Sequence, residues 1–180
     1  MKLNWSHAVI RVRDADAVSK FYCDVLGFSV ADRGHLGPED TSPEIVFLSG
    51  SSSDHHQIAF VDVRGPEEAT SLDHNAFRVG NIADVKEMIR RVAADERIPD
   101  GVPLTHGNAI SVYFKDPEGN GIEVFCDSPW HVKQPQAKVW DPTKSNEEIL
   151  ADVEALFRDE PEFSPMAEYQ TKRAADFGES

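Results

Sequence analysis

The sequence predicts an α+β fold, made of two tandem βαβββ modules followed by a C-terminal helical tail. Three observations carry that expectation: hydrophobic periodicity switches from two to 3.6 and back, the whole pattern recurs at a fixed offset, and the composition changes in kind after residue 127.

Residues 3–12 alternate as a strand, with Ala8, Ile10 and Val12 on one face and Trp5, His7, Val9 and Arg11 on the other. Residues 14–26 place Ala17, Val18, Phe21, Tyr22 and Val25 at helical spacing, and Gly27 is a natural stop. Strand-like runs follow at 28–32, 45–49 and 55–63, the last two joined by the turn-rich Gly50-Ser51-Ser52-Ser53-Asp54. The pattern then returns. Residues 72–79 read as a strand, and 82–93 as a helix with Val85, Met88, Ile89 and Val92 inward. Strands follow at 102–105, 109–115 and 121–125, with Asp116-Pro117-Glu118-Gly119-Asn120 as the last turn.

An offset of 67 residues superimposes the two units: His7 falls on His74, Arg11 on Arg78, Val18 on Val85, Phe47 on Phe114 and His56 on Glu123. Each unit alone has a sheet face with nothing to cover it, so two side by side are expected to form a cupped mixed sheet around a shared cavity. Residues 1–64 and 65–129 are the two repeats of one domain, and 130–180 form an extension. In that extension Ser145 and Glu148 make a capping box that opens an amphipathic helix over 146–158, with Ile149, Leu150, Val153, Leu156 and Phe157 as its apolar stripe. This helix is expected to pack on the domain or on a second subunit, with a lid over the cavity as the alternative.

Composition bounds the function. A chain of 180 residues with 40% hydrophobic residues can bury a core as one domain, and its formal net charge of −14 makes nucleic acid and anionic membranes poor partners. Two distant cysteines, Cys23 and Cys126, have no CxxC spacing and read as reduced structural thiols. Neither a secretory leader nor an 18-residue apolar run is present, so the expected compartment is the cytoplasm.

The chemistry lies among seven histidines. By alternation His7, His74 and Glu123 point into the cup, and a spacing of 49 residues links His7 to His56 and His74 to Glu123. Two imidazoles and a carboxylate on symmetric strands suit a divalent first-row metal, the set typical of non-heme Fe(II) sites with open positions. His56 has three readings: a fourth ligand, a structural histidine, or the favoured one, an acid/base group beside the metal. His55 alternates to the opposite face and reads as structural. Tyr113 shares a face with the small Ala109 and Ser111, so its phenol either reaches the cavity or sits in the core with a wet hydroxyl. His106 reads as a solvated loop residue, His131 and Trp130 as edging the pocket, and His35 as lacking context. Arg11 and Arg78 read as rim residues able to meet a substrate carboxylate, and Trp5, Val9, Ile58, Phe60 and Phe125 as an apolar wall for an aromatic ring.

These residues resemble the vicinal oxygen chelate superfamily, and within it the type I extradiol ring-cleavage dioxygenases. The resemblance spans about residues 3–129 and rests on His7-Ala8-Val9-Ile10-Arg11-Val12, the Phe21-Tyr22 and Leu26-Gly27-Phe28 segment, His55-His56-Gln57-Ile58-Ala59-Phe60, Leu72-Asp73-His74-Asn75-Ala76-Phe77, and the run from Tyr113 to Glu123. Many such enzymes have four repeats, so this chain resembles the small two-repeat branch. The resemblance implies Fe(II), with Mn(II) as the alternative ion, held by His7, His74 and Glu123. It further implies His56 as acid/base and Tyr113 as the contact to a bound catecholate. The implied activity is cleavage of a catechol-type ring beside the diol with both atoms of O2 incorporated. The implied partners are a small aromatic diol, O2 and further copies of the chain in a homo-oligomer. A metal-dependent epimerase or isomerase, a glyoxalase-like lyase and a bleomycin-resistance-like binding protein are the alternatives on the same fold.

Overall fold

A computed structural model describes residues 1, 3–39 and 41–178. The chain divides into two compact units, residues 1–73 with 115–121, and residues 74–114 with 122–180.

The first unit runs β1 (Ala8–Val12), α1 (Ala15–Leu26), β2 (Ser29–His35), β3 (Glu44–Ser49) and β4 (Ile58–Asp62). Asp14 caps α1 by accepting from the Ala17 N–H at 2.8 Å, and Gly27 ends it at φ 77°, a left-handed conformation that glycine adopts without Cβ strain. The strands form one mixed sheet in the order β1-β4-β3-β2, with β1 and β4 parallel and the other pairs antiparallel. One face carries α1: Phe60 is fully buried and meets the Tyr22 ring edge-on at 4.8 Å. The other face gathers Ile45, Phe47, Ala59 and Val61.

The hairpin turn 115–121 belongs to this unit and is held by charge. Glu118 is 8% exposed and Arg64 7% exposed, and their side chains are hydrogen-bonded to each other. Glu118 also accepts from Arg13 at 3.3 Å and from the Asp14 N–H at 3.2 Å. Asp116 organises the turn, accepting from the Glu118 and Asn120 N–H groups, each at 2.9 Å. Burial pushes its carboxyl above the usual range, and these hydrogen bonds oppose that push.

The second unit repeats the order with β5 (His74–Arg78), α2 (Ile82–Ala94), β6 (Val102–Thr105), β7 (Ala109–Lys115) and β8 (Gly121–Asp127). Its sheet reads β10-β6-β7-β8-β5, where β10 is Lys138–Val139. Bonds from the Gly121 N–H to the Asp73 carbonyl and from the Val79 N–H to the Phe125 carbonyl align β5 and β8 start to start, hence parallel. The strand order β5-β8-β7-β6 is therefore that of β1-β4-β3-β2, and the repeat is real at the level of topology. Ile110, Val112, Phe114, Ile122, Val124 and Cys126 make the buried face of the second sheet.

The tail packs on this second module. It comprises β9 (Trp130–His131), β10, α3 (Asn146–Phe157), β11 (Ser164–Pro165), α4 (Met166–Ala174) and a closing 3-10 turn (Ala175–Phe177). The capping box is present: the Ser145 hydroxyl accepts from the Glu148 N–H, and Glu148 accepts from the Ser145 N–H. Phe157 of α3 lies against Gly107, where a Cβ would collide with Val132 and crowd the Phe157 ring. The Trp140 indole N–H donates to the Ser111 carbonyl at 2.9 Å. No helix among the described residues is long and apolar enough to cross a membrane.

Three expectations need correction. Residues 3–7 do not continue the first strand, and 55–57 do not belong to β4, because the parallel ladder between them opens at the pair Ala8 and Ile58. His7 and His56 thus precede their strands. The offset of 67 holds for β1 and β5 but inverts the later strands, since the face opposite the helix is Phe47 and Ala59 in one module and Ser111, Tyr113 and Glu123 in the other. An even offset is required there, because one residue of slip turns every side chain to the other face. Finally, Phe60 is core rather than cavity wall, and Trp5 and Val9 are 84% and 52% exposed.

Candidate functional site

In the first unit the two candidate imidazoles meet. Parallel pairing puts the Ala8 N–H on the Gln57 carbonyl at 3.1 Å, so the residues just before each strand come side by side. His7 and His56 have ring centroids 4.4 Å apart, and Phe47 backs His56 edge-on at 5.0 Å. His55, expected on the opposite face, instead shares a hydrogen bond with His56 between their Nδ1 atoms at 3.0 Å, with one ring supplying the proton. The charged form of His56 is disfavoured by burial first, then by His7 and His55, so its pKa lies below the usual imidazole value.

The second unit assembles a larger group on three adjacent strands. Glu123, buried in mid-β8, accepts from the Ser111 hydroxyl of β7 at 2.6 Å through Oε1, and its Oε2 stands 3.5 Å from Nε2 of His74 at the start of β5. Tyr113, two residues beyond Ser111 on the same face, meets the His74 ring edge-on at 5.4 Å. His106 completes the set and corrects the expectation of a solvated loop residue. Its Nδ1 is 2.5 Å from the Gln136 carbonyl, which can only accept, so Nδ1 carries a proton. Its Nε2 is hydrogen-bonded to the Tyr113 hydroxyl at 2.9 Å, accepting from it when Nδ1 carries the ring's single proton, and stands 3.8 Å from Glu123 Oε1.

The His74 and Glu123 pair fits a divalent ion. Ligand bonds of about 2.0–2.2 Å set two ligating atoms on one ion about 3–3.6 Å apart, which matches the 3.5 Å between Nε2 and Oε2. Among the described residues no group of three or more His, Cys, Asp or Glu side chains is gathered to hold a metal. Each unit supplies two of the four predicted polar groups.

A cavity of about 650 Å³ opens in the second unit, lined by Ala76, Asn108, Ala109 and Phe125, by Glu123 and His106, and by residues 134–137 of the tail, which are hydrogen-bonded to His106. The other predicted groups lie elsewhere. Arg78 pairs with Asp127 at 3.4 Å and stacks on Phe125, while Arg11 pairs with Glu68 at 3.3 Å. His131 is buried and stacked on Tyr169 at 3.7 Å, and Trp130 lies against Phe163, so both fasten the end of the tail rather than edge the cavity. His35 bonds the Ser42 carbonyl within its own loop. Ser111 and the 134–137 segment are functional candidates missed in the sequence; the one available signal was that Ser111 shares a strand face with Tyr113.

The profile of the Glyoxalase/Bleomycin resistance protein/Dioxygenase superfamily matches residues 5–124. The chain is 30% identical over 129 residues to biphenyl-2,3-diol 1,2-dioxygenase 3 of Rhodococcus globerulus, a match covering 68% of this chain and 63% of that protein. A probable lactoylglutathione lyase of Synechocystis is 26% identical over 125 residues, 68% of this chain and 94% of that one. Among solved structures, the fosfomycin resistance protein FosX of Listeria monocytogenes with Mn(II) and sulfate superposes with a TM-score of 0.54 at 18% identity, over 71% of this chain and 95% of that one. At that identity the likeness is one of fold. The chain spans less than two thirds of the length of the dioxygenases it matches.

Proposed function

The chain belongs to the Glyoxalase/Bleomycin resistance protein/Dioxygenase superfamily, and on that premise we propose that it is an Fe(II)-dependent extradiol dioxygenase acting on a catechol-type diol in the cytoplasm. The observation that carries the reading is Glu123 held by Ser111 beside His74, with Tyr113 and His106 hydrogen-bonded next to it. Similarity to several extradiol enzymes supports it.

His7, His74 and Glu123 are the proposed ligands, with Mn(II) as the alternative ion and a homo-oligomer as the working form. When bound, the metal supplies Lewis acidity toward the diol oxygens and a redox partner for O2. The protein's own groups do the rest. His56, uncharged near neutral pH, accepts a phenolic proton on a ring nitrogen and returns it to the departing oxygen. Tyr113 spends its own proton on His106, which leaves its oxygen lone pairs free to accept a hydrogen bond from the substrate hydroxyl. Ser111 and the hydrogen-bonded His106 hold that constellation before substrate arrives.

The test is anaerobic Fe(II) loading followed by air and a panel of catechols, with oxygen uptake and a yellow ring-opened product expected. Neither signal across the panel would overturn the reading. With iron occupancy kept full, His56→Ala is expected to lower turnover about 10²–10⁴-fold, and unchanged turnover would remove His56 from the chemistry. The lyase relative, which this chain matches over 94% of its length, favours a second reading, isomerase or lyase chemistry without O2. Oxygen uptake separates the two.

A further inference from the structure

The segment 134–137 packs against the candidate site itself. The Gln134 amide donates to the His106 carbonyl at 2.8 Å, the Gln136 carbonyl receives His106 Nδ1, and the Gln136 N–H donates back to Gln134 Oε1 at 3.0 Å. Gln136 and Lys138 are in turn tied to Glu160, three residues past the end of α3, at 3.4 and 2.9 Å. The segment is thus a braced wall, and all four of its residues line the cavity that Glu123 enters.

The charges around that cavity follow one pattern. No lysine or arginine among the described residues lines it. The cations within two residues of the lining positions are engaged elsewhere: Arg78 with Asp127, Lys133 with Glu162 at 3.4 Å, and Lys138 with Glu160 and the face of the Phe157 ring. The rest of the lining is carbon from Ala76, Ala109, Phe125, Pro135 and Ala137, with the uncharged amides of Asn108, Gln134 and Gln136 as its other polar groups. A carboxylate placed there would meet no cation and would face the Glu123 carboxylate, whereas an alkyl or aryl group would cover the apolar wall.

We propose that residues 134–137 of the tail are the specificity wall of the site, and that it selects diols whose ring substituent is uncharged and apolar over those carrying a carboxylate. The inference rests on the dioxygenase reading for the diol, and on the cavity alone for the substituent. It removes Arg11 and Arg78 from the part of carboxylate receptors.

The two are tested apart by measuring binding without metal. The isosteric probes are 2-isopropylphenol and 2-hydroxybenzoate, titrated calorimetrically into the metal-free full chain. The wild type is expected to bind the isopropyl compound at least about tenfold more tightly. Ala137→Arg, on the wall but bonded to nothing in the site, is expected to move that ratio toward the carboxylate by about tenfold or more. Ala137→Leu, a volume control, should weaken the isopropyl compound without favouring the carboxylate. Equal binding of the two probes by the wild type, or a ratio that Ala137→Arg leaves unmoved, overturns the proposal. If the ratios behave as expected and the iron-loaded protein consumes no oxygen with 3-isopropylcatechol, the dioxygenase reading falls and the specificity wall stands. If oxygen is consumed equally with 3-isopropylcatechol and 2,3-dihydroxybenzoate, the reverse holds.

Discussion

The two βαβββ modules share a strand order and differ in how they hold polar groups. The first presents two imidazoles, His7 and His56, from residues just outside its parallel strands, where the backbone has left the ladder. The second sets a buried carboxylate in mid-strand and surrounds it with Ser111, His74 and His106. The two imidazoles are placed by ring contacts with each other and with Phe47 and by the hydrogen bond between His55 and His56. A carboxylate taken out of water needs donors fixed by rigid neighbours. The backbone plan is shared, while the even offset of the later strands puts different residue types on the open face of each module.

The sharpest way to break that contrast is to remove the charge of the second module. Glu123→Gln is expected to lower iron affinity by more than about 10²-fold, beyond what loss of an outer hydrogen-bond partner costs, while His56→Ala leaves it unchanged in a chelator competition. Equal loss in both variants would make His56 a ligand and the modules equivalent.

In the first compact unit, which takes in the turn 115–121, the buried charge is structural. Glu118→Ala strands the Arg64 guanidinium, whose side chain is 2% exposed, and is expected to cost about 3–5 kcal/mol in denaturant unfolding. A cost under about 1 kcal/mol would mean that the turn is held by its Asp116 hydrogen bonds instead.

Ser111→Ala tests the outer shell of the second module. Iron affinity is expected to fall about 10–100-fold with the fold intact by circular dichroism. No change would mean that strand packing alone orients Glu123.

The smallest effect concerns the cysteines, one per module. Burial pushes the Cys126 thiol of β8 up to about 11, with Asp127 adding to it, and raises the half-buried Cys23 of α1 as well. At pH 8 only about 10⁻³ of a thiol with that value is ionised, so a disulfide reagent should modify Cys23 first and reach Cys126 only on unfolding. Rapid labelling of Cys126 in the native protein would show that β8 opens locally.

Much of this was legible in the residues. The helices at 14–26, 82–93 and 146–158 and the strands at 102–105 and 109–115 agree with the structure to within a residue or so, because each carries its own period and its own cap or turn. The site was legible where a strand was correctly bounded. Glu123 and Tyr113 sit on strands whose alternation is unbroken, and their faces follow from it. Alternation carried back over 55–57 puts His55, His56 and Phe60 on faces the chain does not adopt, because β4 begins only at Ile58 and alternation holds only inside a strand.

By itself the sequence determined the two-module plan, the identity of the elements and the residue types able to hold a metal, since these depend on local periodicity and on chemistry that each side chain carries alone. Only the tertiary structure decided that Glu118 is a buried ionic anchor, that His106 is a hydrogen-bonded member of the site, and that residues 134–137 form a cavity wall. Those depend on partners 54, 30 and 28 residues away in the chain, and no local pattern records which of many compatible donors and acceptors will meet.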